Sequence, residues 1–234
     1  MRRVLKSWPL LLAAAAVAFA EDPSWRNKPA AQWDQEDAKQ VLTDSPWVKS
    51  TQLQRVRDLS PDERRNGGNM EAGIGKGVGL AGIGLLGPTR QREAIARAHA
   101  HPDPGKVMVR WESAHPVRTA EQKLGDTEAP EVPSGYYAIV VYEVLTPRRW
   151  NITNELKGIA ALKRIKQKDL KPSRVVILRK DKQSEMATVV YLFRSSVEIS
   201  RKDAYVQFVA QIGRLVVGQV FYPEQMMFRG ELEI

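Results

Sequence analysis

The chain has 234 residues, with 36 Lys and Arg, 27 Asp and Glu, 43% hydrophobic residues and no cysteine. The lack of cysteine excludes disulfide bonds, a thiolate zinc site and a cysteine nucleophile. The hydrophobic fraction suffices for a packed core, which excludes a chain that is disordered throughout. Because the one long apolar run lies at the N-terminus, a protein with several membrane-spanning helices is excluded as well.

The N-terminus is typical of a signal peptide over residues 1–20. A basic start precedes an apolar run of about 12 residues, which is shorter than the ~20 residues that a membrane-spanning helix needs. The small residues Ala18 and Ala20 stand where a signal peptidase accepts them, and Glu21 would begin the mature chain. The pair Arg2-Arg3 leaves both the general and the twin-arginine export routes open. We therefore predict a periplasmic or secreted bacterial protein, with no stable transmembrane anchor after cleavage.

Export changes the charge of the chain and the partners that it can meet. Residues 1–20 contain three basic and no acidic residues, so cleavage lowers the formal charge from +9 to +6. An exported chain with this modest surplus is not predicted to bind nucleic acid. Solubilising charge is the simplest interpretation, while an envelope protein, an anionic cell-surface polymer or lipid headgroups stay open as partners.

A short helix is predicted after residue 33. Asp34 can cap its N-terminus, and Asp37 stands three residues further on, as in a capping box. Trp33 precedes the cap and is placed to pack onto Ala38. The helix is predicted to end before Pro46, because proline cannot continue a helix.

The segment 21–57 also contains a predicted strand over 48–57 and three tryptophans. We expect Trp25, Trp33 and Trp47 to pack this segment onto the main domain. An exposed platform for a carbohydrate or a cation is the alternative.

Glycine dominates the next segment, which we assign to 58–104. Nine of the 16 glycines lie within 67–87, so a flexible linker or loop is expected, because ordering glycine is costly in conformational entropy. A glycine zipper through Gly75 and Gly79 is the alternative. Residues 77–82 match G-x-G-x-x-G, but no buried strand precedes them, so we predict no nucleotide or other cofactor.

The remaining residues, 105–234, are predicted to form an α+β domain. Its antiparallel β-sheet ends in a C-terminal meander with one apolar face, packed under a few short helices or closed into a partial barrel. The predicted strands cover residues 107–111, 136–145, 174–179, 186–194, 204–212, 215–222 and 227–234, and the predicted helices cover 117–124 and 154–162, the latter capped by Thr153.

A candidate metal site lies at the end of the Gly-rich segment. His99, His101 and Asp103 form H-x-H-x-D, which in an extended chain places both imidazoles on one side. Such a set suits Zn²⁺, Cu²⁺ or Ni²⁺. Pro102 and Pro104 mark an exposed loop, where histidines are commonly only solvated.

The mature sequence offers little for catalysis. It contains no G-x-S-x-G, H-E-x-x-H or S-x-x-K motif. Glu112 and Glu143 could meet across two strands, as paired carboxylates do in glycosidases, but only their residue types support this pairing. No catalytic residue is therefore predicted.

Three short elements carry a family resemblance. They are W-D-Q-E-D-A-K-Q-V-L-T-D-S-P-W-V-K after Gln32, V-R-W-E-S from Val109, and M-x-x-x-G-x-L-E from Met226, within the C-terminal stretch 221–234. In these elements the chain resembles an uncharacterised group of exported bacterial proteins. The resemblance implies export and one shared domain, and it implies no catalytic residue.

From these observations we predict a non-enzymatic exported binding or scaffold domain with exposed sheet edges for a partner. The alternative from another class is a metal-handling protein or metal-dependent exported enzyme that uses His99 and His101.

Overall fold

The computed structural model describes residues 22–56, 104–146, 152–181 and 183–234. The chain there forms antiparallel sheets with four short helices and a 3₁₀ turn, which confirms the predicted α+β class. The helices are α1 (Ser24–Asn27), α2 (Gln35–Thr43), α3 (His115–Leu124) and α4 (Ile152–Gly158), and the 3₁₀ turn is Ala30–Gln32.

Two larger sheets and one small sheet contain all the strands of the described residues. The first sheet has the order β1-β3-β4-β7-β6, the second has the order β2-β9-β8-β5, and β10 pairs with β11. The strands are β1 (Val48–Gln52), β2 (Gln54–Arg55), β3 (Lys106–Trp111), β4 (Tyr136–Leu145), β5 (Ala161–Arg164), β6 (Arg174–Leu178), β7 (Met186–Arg194), β8 (Val206–Ile212), β9 (Leu215–Phe221), β10 (Met227–Phe228) and β11 (Glu231–Leu232).

The prediction of a single C-terminal meander is wrong. Strands β6 and β7 belong to the first sheet, whereas β8 and β9 belong to the second. Strand β7 pairs with β4 along one edge and with β6 along the other, so no edge remains for β8. The chain therefore changes sheet within residues 195–205. Neither larger sheet closes on itself in the described residues, so the partial barrel is not formed there.

The single strand predicted over 48–57 is divided in the structure. Leu53 separates β1, which pairs with β3, from β2, which pairs with β9 in the second sheet. The Leu53 amide donates instead to the Gly105 carbonyl, at 2.9 Å. This bend joins the two sheets.

The helix predicted over 154–162 is wrong at both ends. Helix α4 already includes Thr153, which lies inside its first turn rather than at the cap, and ends at Gly158. Ala161 begins β5 and pairs with Val209 of β8. Glycine is a poor helix former, and pairing with β8 gives the apolar residues after it a buried place in the second sheet.

The predicted N-terminal helix is confirmed together with its cap. The Asp34 carboxylate accepts from the Asp37 amide at 2.8 Å, and the Asp37 carboxylate accepts from the Asp34 amide at 3.1 Å. These reciprocal bonds form a capping box and satisfy two backbone N–H groups at the helix start. Ala38, Val41 and Leu42 then face the core.

The three N-terminal tryptophans are core residues, as predicted. Trp25, Trp33 and Trp47 are fully buried, so the alternative of an exposed platform is wrong. The rings of Trp25 and Trp47 lie 5.5 Å apart, and Phe228 lies 5.4 Å from Trp33. One continuous core contains these rings and the inner faces of both larger sheets. Residues 1–21 and 57–103 lie outside the described residues, so the signal peptide and the Gly-rich segment stay predictions.

Candidate functional site

The candidate site is a groove on the outer face of the first sheet. Side chains alternate along each strand, so Val109 and Val141 enter the core while Met108 and Tyr142 face outward and lie opposite each other. Over them runs a groove of about 670 Å³. Its lining is Lys106, Val107, Met108, Arg110, Asp126, Glu128, Tyr142, Glu143, Leu178, Arg179, Lys180, Met186 and Thr188.

The floor of the groove is apolar and crosses four strands. Met108 lies on β3, Tyr142 on β4, Met186 on β7 and Leu178 on β6. Leu178 and Met186 are exposed, and Met186 lies directly opposite exposed Leu145. Charged side chains line the groove beside these apolar ones, so its surface is mixed in polarity.

A loop closes the groove at one side. Residues 125–135 lead from α3 to β4, and the Arg118 side chain holds this loop by donating to the Pro130 carbonyl at 2.8 Å. Val132 packs on the outward-facing residues at the other half of the sheet. Glu128 forms a 2.9 Å ion pair with Lys180 across the groove. The loop therefore packs on the outer face of the sheet beside the groove.

A β-bulge contributes to the rim of the groove. The β4–β7 register shifts between Val141 and Val144, and Glu143 adopts φ 48°, in the left-handed region that glycine favours. A non-glycine residue held there costs about 1 kcal/mol or more. Strained residues of this kind concentrate at functional sites, and Glu143 is exposed on the rim of the groove.

A buried charge cluster lies beneath the groove. Arg110 is 6% exposed, and its guanidinium carbon lies 4.5 Å from the ring centroid of Tyr142, as a cation–π pair. Arg110 Nη1 donates to Glu121 Oε1 at 2.8 Å and lies 3.9 Å from Glu112 Oε2. Glu121 and Glu112 are 2% and 0% exposed. Buried charges of this kind persist only when they are paired.

Further hydrogen bonds lock the cluster. The Tyr142 hydroxyl donates to Glu112 Oε2 at 2.8 Å, and Arg118 Nη1 donates to Glu121 Oε2 at 2.8 Å. Arg118 Nη1 also lies 3.5 Å from Glu112 Oε1. Two guanidinium groups and a phenol therefore hold two carboxyl groups.

The two carboxyl groups favour a shared proton. Burial raises the pKa of Glu121 to about 9, together with the hydrogen bond from its carboxyl group to Glu112 and the charge of Glu112, while Arg118 and Arg110 oppose the rise. Burial, and then the charge of Glu112, raise the pKa of Tyr142 far above its usual range. Both shifts favour the protonated forms, so a proton is held more readily by this carboxyl pair than by exposed glutamates, and the Tyr142 hydroxyl stays a donor. The side chains of the cluster contact one another, and these contacts fix the positions of Arg110 and Tyr142, which line the groove.

The residues predicted for metal binding and for signal cleavage lie outside the described residues. These are His99, His101 and Asp103, and Ala18, Ala20 and Glu21. Among the described residues no three His, Asp or Glu side chains are grouped so as to hold a metal ion. His115, at the start of α3, has its Nε2 atom 3.5 Å from the Thr119 hydroxyl.

The carboxylate pair considered from the sequence is not brought together. Glu112 is fully buried, and its amide donates to the Ala138 carbonyl, whereas Glu143 is exposed five residues further along β4. The carboxyl group that interacts with Glu112 is instead that of Glu121, which the sequence did not suggest, and the same holds for Arg110 and Tyr142, which contact Glu112 as well. A signal was present, because Arg110 is a charged residue inside the apolar strand predicted over 107–111, and Glu112 directly follows that strand.

No helix in the described ranges is long and apolar enough to span a bilayer. No family model, curated protein or solved structure matches this chain.

Proposed function

We propose that this chain is an exported, non-enzymatic binding domain, and that its groove takes an extended amphipathic segment of an envelope protein. The observation that carries the proposal is the groove itself, with methionine, leucine and tyrosine on its floor and charges of both signs on its rim.

The floor suits a polypeptide partner. Met108 and Met186 have flexible, polarisable side chains that adapt to different apolar groups, which favours protein contacts. Neighbouring strands lie about 4.8 Å apart, so the four strands under the groove give it a length of about 15 Å. That length accommodates an extended segment of roughly four or five residues.

The rim favours the same partner over a uniformly charged polymer. Lys106 and Arg179 carry positive charge, whereas Asp126 and Glu143 carry negative charge. A polyanion would be attracted by part of this rim and repelled by the rest. A polypeptide that carries both signs of charge can complement all of it.

The chemistry beneath the groove supports binding rather than turnover. Glu112 and Glu121 are buried and pair with Arg110 and Arg118. These four paired side chains hold the floor of the groove rigid, which reduces the entropy cost of binding a partner.

The signal-peptide pattern and the resemblance to exported bacterial proteins support an envelope location for this activity. The metal-handling alternative with His99 and His101 stays a prediction.

A crosslinked pull-down of the protein from its native envelope, read by mass spectrometry, tests the proposal. The wild type is compared with Leu178→Glu/Met186→Glu, which charges the groove floor, and with Tyr222→Glu, which charges an exposed aromatic position outside the groove lining.

We expect one dominant protein partner with the wild type and with Tyr222→Glu, and its loss with the groove variant. The same spectra should show Glu21 as the N-terminal residue. Equal recovery of the partner with all three proteins would contradict binding in the groove, and a retained N-terminal segment would contradict cleavage at the predicted site.

A further inference from the structure

Two loops lie side by side at one end of the second sheet. Residues 165–170 follow β5 and residues 195–205 precede β8, and the β5–β8 ladder ends at the pair Arg164 and Val206. The Gln167 side-chain amide donates to Asp203 Oδ1 at 2.9 Å, which ties the first loop to the second. We call residues 163–171 and 195–205 together the basic tip.

A second bond braces the tip on the sheet. Arg164 is buried, and its Nη1 atom donates to the Glu198 carbonyl at 3.1 Å. Within the second loop the Asp203 carboxylate accepts from the Ser200 amide at 2.8 Å. Asp203, the one buried carboxylate of the tip, therefore forms its hydrogen bonds within the tip. These bonds hold the two loops in a defined arrangement.

The exposed charge of the tip is strongly positive. Residues 163–171 contain four lysines and one arginine against a single acidic residue, Asp169. Glu198 is the exposed carboxylate of the second loop. The exposed basic side chains of the tip are Lys166, Lys168, Lys171, Arg201 and Lys202. Among the described residues, the ion pairs involve none of these five side chains.

Apolar side chains stand among these charges. Ile165 is 44% exposed, Val197 is 41% exposed and Tyr205 is 36% exposed. They are three of the seven large apolar side chains that are exposed in the described residues. Ile165 directly follows Arg164 and Tyr205 directly precedes Val206, so both leave the ladder at the same end.

We propose that the basic tip binds the surface of an anionic phospholipid bilayer. Lysine and arginine side chains are attracted to anionic headgroups, and their apolar stems tolerate the interface. Ile165, Val197 and Tyr205 gain from insertion at the boundary between headgroups and acyl chains, where tyrosine is also favoured. A soluble polyanion would pair with the basic side chains but leave the apolar side chains in water. The combination of basic and exposed apolar side chains therefore favours a membrane surface.

This surface is separate from the groove. The groove lies on the first sheet, whereas the tip belongs to the strands and loops of the second. A domain with both could hold a partner in the groove while its tip rests on the bilayer. Binding at the tip does not depend on an occupied groove.

Flotation with lipid vesicles tests the proposal on the mature chain. The probes are vesicles of phosphatidylcholine alone and vesicles of phosphatidylcholine mixed with phosphatidylglycerol, with dextran sulfate as a soluble polyanion. Lys168→Glu/Lys202→Glu changes one exposed lysine in each loop, Ile165→Ser removes the apolar contact, and Lys39→Glu/Lys123→Glu is the matched control on helices α2 and α3.

We expect binding only to the vesicles that contain phosphatidylglycerol, and release at high salt. The double variant in the tip should lower the partition coefficient by at least roughly 30-fold, since each basic residue near an anionic surface contributes about 1 kcal/mol. Ile165→Ser should lower it by roughly tenfold at unchanged charge. The control pair should lower it far less.

Three results would overturn the proposal. They are an absence of vesicle binding by the wild type, equal losses in the tip and control variants, and binding to dextran sulfate that matches vesicle binding and is unaffected by Ile165→Ser. The last result would assign the tip to an anionic polymer.

Discussion

The indole N–H of Trp47 donates a 2.6 Å hydrogen bond to the main-chain oxygen of Glu233. The main-chain oxygen of Trp47 accepts from the Trp111 amide at 2.7 Å. The three sequence elements that carry the family resemblance therefore meet at this one tryptophan. Their meeting ties the C-terminal segment and the residue before β1 to strand β3 of the first sheet.

Trp47→Phe should destabilise the fold, because it removes the indole donor and leaves the Glu233 carbonyl without that partner. The expected loss in the free energy of unfolding is about 1–3 kcal/mol, measured by urea denaturation. Trp25→Phe is the matched control, since Trp25 is as buried as Trp47 but its indole nitrogen has no hydrogen-bond partner. Equal losses from both variants would contradict a role for the hydrogen bond.

The buried carboxyl pair should make stability depend on pH. The pKa of Glu121 is raised by burial and by Glu112 from its usual 4.5 to about 9 in the folded chain. Between these values the folded state binds more protons than the unfolded state, so the free energy of unfolding should fall as pH rises from about 5 to 9. Glu121→Gln resembles the protonated form and should flatten this fall in urea denaturation at several pH values.

Glu131→Gln controls for the loss of a carboxylate, because Glu131 is exposed on the loop beside the groove. It should leave the pH dependence of the wild type intact. If Glu121→Gln keeps that slope as well, a proton shared by Glu112 and Glu121 is ruled out.

The strained bulge at Glu143 should lower the stability of the fold while its carboxylate strengthens partner binding. Glu143→Gly relieves the positive φ and should raise the free energy of unfolding by up to about 1 kcal/mol, while weakening partner binding through the lost rim charge. Glu143→Gln keeps the strain and removes the charge, so it should weaken binding at unchanged stability. Denaturation and partner capture together separate these effects, and normal capture by both variants would show that the rim carboxylate makes no contact.

Metal analysis distinguishes the binding domain from its metal-handling alternative. We expect purified mature protein to hold substoichiometric zinc, copper and nickel, with amounts that do not change in His99→Ala/His101→Ala. Elemental analysis by mass spectrometry measures this. A stoichiometric metal that the double variant loses would instead support the site at His99, His101 and Asp103.

Local signals predicted the parts of the fold that depend on neighbouring residues. Strands β4 and β7 have the predicted bounds, because their long apolar runs match a strand buried on both faces. The capping box of Asp34 and Asp37 needs only residues three positions apart. The burial of the N-terminal tryptophans is also a local prediction, because it follows from their own size and apolar surface.

The failures concern pairing between distant residues. The order of the strands depends on which edges are already occupied, and β8 is excluded from β7 only because β4 lies there. The break between β1 and β2 at Leu53 depends on Gly105, because the Gly105 carbonyl accepts the hydrogen bond from the Leu53 amide. Glu121 was missed for the same reason, since its pairing with Arg110 arises only when α3 packs beside β3.

Photo-crosslinking from position 186 tests occupation of the groove most directly. A benzophenone side chain replaces Met186 on the groove floor, and the matched probe replaces Tyr222, which is equally exposed but outside the groove lining. After irradiation in the native envelope, position 186 should give one discrete adduct with a protein partner, and Leu178→Glu in the same chain should abolish it. Identical adducts from both positions, or none from position 186, would contradict a binding function for the groove.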